Sequence, residues 1–433
     1  MKQFGLIYRY ELKKILGRRR VLGAFALVLM LVLLLNLYSI VLFSVGSQGA
    51  CVTKKNTYDR EQTDWSALFT GVPIRWVDEE GTMQEELVSP LRYIRLQREY
   101  AMKWSGTALD DRVLGNLQTF LAQYDSPESE VGTSWKLQNY AWVYRTIYQI
   151  GINPESPNLS EAMVERLVNE QGDTTYEMES LTPEEQEFWE NHPKLSFPFV
   201  LAYTPAYSQL LAMTYFIHIL LIFFVIYTLC ESFSLERRRS TRPAMQTSVH
   251  GMGKAPLARL LAGETVAACA AVICYLLSAL IQFSLFGTDG WQVPIQQIGG
   301  FQWSHLMICA GNAVLLLFGT SLLLLLFIGT LTMLLSEWAQ NPVIAMGVQM
   351  VLLLFSLLFN YSIFYQNCVI AQFWQYLPLH RANQVLLYDE RLVRVLGRLW
   401  TAIPLSTVIY AGLTGLFFLV CLVHTRRTRR DRV

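Results

Sequence analysis

The chain lacks charged residues over several long stretches, and this lack excludes an ordinary soluble protein. Charged residues make up 16% of the 433 residues and apolar residues 52%, whereas about a quarter of an average soluble protein is charged. Residues 21–45 carry no charge at all, and a run of this length can cross a bilayer core of about 30 Å. It is also too long for a cleaved signal peptide, whose apolar region spans about 7–15 residues.

Motifs that would place chemistry within the chain are missing as well. The seven cysteines form no CxxC pair, and the histidines include no HExxH zinc pair. Residues 250–255 lack the first glycine and the hydroxyl residue of a phosphate-binding loop. We therefore predict no catalytic residue, no metal and no cofactor in this chain. Cys51 and Cys368 are the only cysteines predicted to lie outside the membrane, as a disulfide or, preferably, as free thiols.

Asp, Glu, Lys and Arg are absent from the middle of the apolar runs, and His218 is the one histidine inside them. Ion-coupled carriers normally bury such groups at mid-membrane, where they bind the coupled ion. A charged group is energetically costly there, so one that is present usually has a function. Proton-coupled transport is therefore not favoured. For His218 we keep two interpretations, a role in lining a transport path and, preferably, a structural hydrogen bond between helices.

Charge is distributed unevenly along the chain. Residues 46–205 hold 25 acidic and 13 basic residues, and the remainder holds 9 acidic and 22 basic residues. Because basic residues favour the cytoplasmic side of a membrane, we predict an outer acidic domain and cytoplasmic termini. Each basic cluster adjoins an apolar run, so a nucleic-acid partner is not expected. The predicted fold is an all-α polytopic membrane protein with six transmembrane helices, at 21–45, 207–230, 260–286, 305–335, 342–364 and 403–424.

Residues 1–20 predict an amphipathic helix on the inner membrane surface, because apolar residues recur at helical spacing among basic ones. Its apolar face is Phe4, Ile7, Tyr8 and Leu12. A basic flank without a defined helix is the alternative.

Residues 46–205 predict one mostly helical extracytoplasmic domain. Helices are expected over 90–104, 109–124 and 135–150, with others starting near residues 159 and 183, and a hairpin over 74–87. The remaining part, 206–433, is predicted to be a five-helix membrane region. Its inner face carries a loop at 231–259 and a tight turn at 336–341, and an outer helical segment covers 365–400.

The loop 231–259 is basic and lies between two apolar runs. The placement of Glu236, Thr247, Gly253, Lys254 and Arg259 in it resembles the loop after the second membrane helix of ABC-2-type transporter permeases. The surface helix and the segment 365–400 also resemble the elbow helix and outer helices of that family.

The resemblance implies the permease subunit of a bacterial plasma-membrane exporter with an enlarged first outer domain. Its partners would be a cytoplasmic ATPase, which holds ATP and Mg²⁺, a second permease subunit (identical or different) and the lipid bilayer. The ATPase-coupling residues would be Glu236, Arg238, Arg239, Thr247, Gly253, Lys254 and Arg259. A second hypothesis is a non-transporting membrane sensor or scaffold whose acidic outer domain binds a ligand such as a cationic peptide.

Overall fold

The computed structural model describes the chain in segments, over which the protein is mostly helical. The described residues are 2–46, 72–77, 83–102, 105–106, 183–191, 200–235, 254–298, 301, 304–339, 341–358, 376–381, 383, 387 and 392–430.

The α-helices of these segments fall into long apolar helices and shorter ones. In chain order they are α1 Lys2–Leu16, α2 Arg19–Gly46, α3 Pro90–Ala101, α4 Pro183–Glu190, α5 Pro205–Leu229, α6 Ala255–Phe286, α7 Ala310–Ala339, α8 Pro342–Leu358, α9 Pro378–Arg381 and α10 Ala402–Arg430. The described residues also contain four short strands, which are paired in two antiparallel hairpins, β1 Val72–Val77 with β2 Met83–Val88, and β3 Val393–Val395 with β4 Arg398–Trp400.

Five of these helices are long and apolar enough to cross a membrane, namely α2, α5, α6, α7 and α10. A helix rises about 1.5 Å per residue, so 24 or more residues exceed the thickness of a bilayer core. The prediction of a multi-pass helical membrane protein is confirmed at this level. The fifth predicted span, 342–364, begins with α8, a mainly apolar helix of 17 residues. Residues 359–364 lie outside the described residues, so the sixth crossing stays a prediction.

The predicted start of the fourth span at residue 305 was wrong, because α7 begins only at Ala310. The chain before it is extended and pairs with the preceding loop. Ile295 N–H donates to the carbonyl of Ile308 at 3.0 Å, and Ala310 N–H donates to the carbonyl of Val293 at 2.8 Å. These backbone hydrogen bonds compete with the helix and delay its first turn.

The predicted turn at 336–341 is shorter than expected, because α7 continues to Ala339. The sequence has no helix breaker before Pro342, which begins α8. The side chain of Asn341 accepts a hydrogen bond from the backbone N–H of Val343 at 3.0 Å. Asparagine at this position caps a helix start, so α8 begins directly after Asn341.

The prediction of a helical segment over 365–400 was wrong in its last part. Residues 393–400 form the β3–β4 hairpin, in which Val393 pairs with Trp400. The turn places Leu396 at φ 53° and Gly397 at φ 77°, a left-handed conformation that glycine adopts without strain. The apolar spacing fits a helix, but the valines on either side of an arginine favour a strand. Earlier in the segment, α9 is a single helical turn.

The described parts of the predicted outer domain contain the expected hairpin and two of the expected helices. Strands β1 and β2 pair from Val72 with Val88 to Val77 with Met83. Helix α3 begins at Pro90, after Ser89, whose Oγ accepts from Arg92 N–H at 3.4 Å. The predicted helices at 109–124, at 135–150 and near 159 lie outside the described residues, as do Cys51 and Cys368.

The chain divides into two compact units. Unit 1 comprises Met1–Leu33, Ala212–Ser278 and Leu316–Val433, and unit 2 comprises Leu34–Leu211 and Ala279–Leu315. The candidate site below lies within unit 1.

Candidate functional site

The N-terminal helix is joined to the start of α6 by a buried ion pair. Arg259 Nη2 donates to Glu11 Oε1 at 3.2 Å, and Arg259 Nε donates to Glu11 Oε2 at 3.3 Å. The side chains are only 5% and 3% exposed. A guanidinium and a carboxylate in this two-point arrangement satisfy each other's charge and hydrogen-bonding groups, which makes the burial of both tolerable.

Other residues of α1 also contact α6. Tyr8 OH donates to Thr265 Oγ1 at 2.8 Å, and Thr265 lies six residues beyond Arg259 on α6. The predicted apolar face, Phe4, Ile7, Tyr8 and Leu12, is partly buried against the protein, whereas Leu6 and Tyr10 are both 66% exposed. Helix α1 is therefore attached to α6 by apolar contact, one ion pair and one hydrogen bond.

Glu231, the first residue of the basic loop, forms ion pairs with arginines at the junction of α1 and α2. Glu231 accepts from Arg18 Nη1 at 3.4 Å and also pairs with Arg20. Glu231 and Arg18 are each 14% exposed at their side chains. Both arginines thus lie close to the point where α5 ends and the loop begins.

The next residues of the loop are held by the end of α7. Ser336 Oγ accepts hydrogen bonds from the backbone N–H groups of Phe233 and Ser234, each at 3.2 Å. The guanidinium of Arg259 lies 4.9 Å from the centre of the Phe233 ring, which is the geometry of a cation–π contact. Arg259 therefore touches both the start of the loop and the N-terminal helix.

Helix α10 contributes to the same region. The Cys421 thiol, which is fully buried, interacts electrostatically with Arg259 and with Glu337 near the end of α7. Glu337 is itself 1% exposed. Five elements, α1, the start of the loop, α6, α7 and α10, thus meet around Arg259.

The structure separates the residues that the sequence assigned to ATPase coupling. Lys254 is exposed immediately before α6, and Arg259 is buried one turn into that helix. Arg259 is thus inaccessible to a partner in this conformation and can act only by positioning its neighbours. The other assigned residues lie outside the described residues: Glu236, Arg238, Arg239, Thr247 and Gly253.

His218 is fully buried in the middle of α5. Neither ring nitrogen has a hydrogen-bond partner among the described residues, so the structural hydrogen bond that the sequence favoured is not found there. Within the same part of the chain, no group of three or more His, Cys, Asp or Glu side chains is placed to hold a metal ion.

Among the residues of this site that sequence reasoning missed are Glu11, Glu231 and Ser336. A signal existed for the first, since Glu11 is the only acidic residue among the first 58 residues. Glu231 carried a weaker signal as an acid at the end of an apolar run. Nothing in the sequence marked Ser336, because its role depends on the packing of α7 against the loop.

No protein-family model matches this chain, and no curated protein is significantly similar to it. The fold by itself identifies the chain as a multi-pass membrane protein.

Proposed function

We propose that this chain is the membrane-spanning permease subunit of an ATP-driven exporter of the ABC-2 type. The observation that carries the proposal is the buried pair between Glu11 and Arg259. It joins the N-terminal helix to the far end of the basic loop 231–259, the two elements that resemble the elbow helix and coupling loop of that family.

The proposed topology has six crossings, with both termini and the loop 231–259 in the cytoplasm. It is supported by the five helices that are long and apolar enough to cross a membrane. The basic residues before the first span, in the loop 231–259 and after the last span favour the cytoplasmic side.

The contacts suggest how force on the loop would reach the membrane helices. The start of the loop is bound to Arg18 and Ser336, and its end is bound to Glu11 through Arg259. An ATPase that pressed on residues 236–254 would therefore displace α1, α6 and α7 together. Lys254 is exposed at the end of that stretch and is available for direct contact.

In this proposal the chain supplies the passage, and the partner ATPase binds ATP and Mg²⁺. A second permease subunit, identical or different, completes the passage. Coupling of this kind needs contacts that differ between two states. The anchored loop provides one set of such contacts, and the ATPase would provide the other.

Reversal of charge at Arg238, Arg239 and Lys254 tests the proposal. The tagged chain, purified in mild detergent, should retain an ATP-hydrolysing polypeptide, and the triple variant should lose it. A matched control reverses Arg92 and Arg95, which lie in the predicted outer domain. Unchanged co-purification and transport in the triple variant would remove the assigned role of the loop, and ATP hydrolysis by the purified chain alone would overturn the proposal.

One observation favours the alternative of a membrane sensor. In unit 2, Arg98 of α3 donates to Asp289 Oδ2 at 3.3 Å, so the outer segment contacts the turn that follows α6. The turn contains Gly287 at φ 86°, and a β-carbon there would lie 2.5 Å from Arg98 Nη2. A ligand bound by the outer domain would thus have a route to a membrane helix. A response to an outer ligand that persists without any ATPase would favour this alternative.

A further inference from the structure

The tip of the β3–β4 hairpin carries a leucine that is both strained and exposed. Leu396 is 100% exposed and has φ 53°, and Gly397 beside it has φ 77°. Glycine adopts this conformation without strain, whereas a leucine does not. An asparagine before the glycine would fit the turn better. Backbone strain of this kind concentrates at functional positions, so this leucine requires a reason other than the folding of the hairpin.

Two arginines flank the tip, one on each face of the hairpin. Arg394 pairs across the strands with Leu399, and Arg398 pairs with Val395. Because side chains alternate between the two faces along a strand, the two arginines point to opposite faces. Both are exposed, and each is two residues from Leu396, which is about 7 Å of strand length. The tip thus presents one apolar side chain with a positive charge behind it on either face.

The hairpin is joined directly to a membrane helix. Strand β4 ends at Trp400, and α10, which is long and apolar enough to cross a bilayer, begins at Ala402. Only 17% of the most apolar stretch of α10 is buried within the protein, so in a membrane most of this helix faces lipid. A strand of three residues is about 10 Å long. The tip of the hairpin therefore lies close to the bilayer surface.

The charge of the hairpin matches an anionic lipid surface. Residues 393–400 contain two arginines and no acidic residue. A guanidinium group binds a phosphate through two parallel hydrogen bonds, and basic residues beside a span attract anionic lipids. In the proposed topology the hairpin is on the outer side, where basic residues are not favoured. Topology therefore does not account for the two arginines, whereas lipid phosphates do.

We propose that the β3–β4 hairpin docks on the bilayer surface beside α10. Leu396 inserts among the lipids, and Arg394 and Arg398 bind the phosphate groups of anionic phospholipids on either face of the hairpin. One partner then accounts for the exposed leucine, for the placement of the arginines and for the attachment to a span. The proposal requires α10 to cross a bilayer, but it does not depend on the chain being an exporter.

Photocrosslinking from position 396 tests the docking. A diazirine analogue of leucine replaces Leu396 in the full-length chain, which is reconstituted into nanodiscs of phosphatidylcholine and phosphatidylglycerol in equal parts. After irradiation, mass spectrometry identifies the molecule attached to the hairpin peptide. We expect phospholipid adducts in which phosphatidylglycerol exceeds phosphatidylcholine about fivefold, since one arginine near an anionic surface contributes about 1 kcal/mol. The matched control places the analogue at Leu87, a 58% exposed leucine of strand β2 beside Glu85 and Glu86, and should give little lipid adduct.

Two pairs of substitutions test the arginines. Arg394→Gln with Arg398→Gln should lower the preference for phosphatidylglycerol below about twofold, because the attraction is electrostatic. Arg394→Lys with Arg398→Lys keeps the charge and should keep most of the preference. Equal lipid adducts from positions 396 and 87 would overturn the docking, as would a preference that survives in the glutamine variant. A main product with a second copy of the chain, or with another protein, would overturn it as well.

Discussion

Arg259 and Glu11 lie 248 positions apart in the sequence and hold each other's charge inside the protein through two hydrogen bonds. Lys14 adds a third contact, with its Nζ at 3.5 Å from Glu11 Oε2. A buried charge without its partner is strongly destabilising, although a complete pair adds little over an apolar replacement. The pair therefore specifies where the N-terminal helix attaches more than it adds to stability.

Truncation of either member should leave the other charge buried and unpaired. We expect Glu11→Ala and Arg259→Ala each to lower the free energy of unfolding by about 3–5 kcal/mol. The double variant should lose much less than the sum. The buried thiols of Cys230, Cys274 and Cys421 allow unfolding in detergent to be followed with a thiol-reactive dye. Lys14→Ala, which removes the more exposed contact, should cost less than about 1 kcal/mol. Equal small effects for all the single variants would contradict the assignment of a buried pair.

The position of the first loop residues should depend on the hydroxyl group of Ser336. Ser336→Ala removes the acceptor for two buried backbone N–H groups, at Phe233 and Ser234, and should cost about 1–3 kcal/mol. Ser284→Ala is the matched control, because its hydroxyl bonds within its own helix and is exposed. The control should change stability by less than about 0.5 kcal/mol. Identical unfolding midpoints for the two variants would show that the hydroxyl does not hold the loop.

Two glycines of α7 should respond to alanine in opposite ways. A β-carbon at Gly311 would lie 2.3 Å from the ring of Trp291, whereas one at Gly319 would meet nothing within 4 Å. Gly311→Ala should therefore destabilise by about 1–3 kcal/mol through overpacking. Gly319→Ala should be neutral or stabilise by up to about 1 kcal/mol, because alanine restricts the unfolded chain and favours a helix. The unfolding midpoints of the two variants test this prediction. A higher midpoint for Gly311→Ala would contradict the close contact between Gly311 and Trp291.

One substitution in the turn at residues 396–397 should stabilise the β3–β4 hairpin. Leu396 is fully exposed and has φ 53°, a conformation that costs an ordinary side chain about 1–2 kcal/mol. Leu396→Asn creates the Asn-Gly turn that this geometry favours and should slow amide hydrogen exchange over Val393–Trp400. Gly397→Val should accelerate it. Acceleration by both substitutions would argue against the hairpin.

The long apolar helices could be predicted from the sequence because length and apolar content determine them with little help from packing. The ends were less predictable. Ala310 begins α7 late because the preceding residues pair with a distant loop segment, and the β3–β4 hairpin replaces a helix because a glycine turn outweighs apolar spacing. Both outcomes depend on backbone hydrogen bonds between separate segments, which helical periodicity does not report.

The candidate site was predictable only in outline. The basic loop and the N-terminal helix were recognisable from charge and spacing, but their connection was not. Arg259 was assigned to ATPase coupling because its position resembles one in the coupling loop of ABC-2-type permeases, whereas Glu11 holds it inside the protein. Likewise, His218 was assigned a hydrogen bond because buried imidazoles usually have one. Such pairings arise from the tertiary arrangement of residues far apart in the sequence.

The central claim is that the exposed end of the loop touches a separate ATPase, and site-specific photocrosslinking from position 254 tests it most directly. A photoreactive amino acid replaces Lys254, and in a second variant it replaces Leu87, which is 58% exposed in the predicted outer domain. We expect a crosslink from position 254 to a nucleotide-binding polypeptide and none from position 87. A crosslink from position 254 only to lipid, or the same product from both positions, would contradict it.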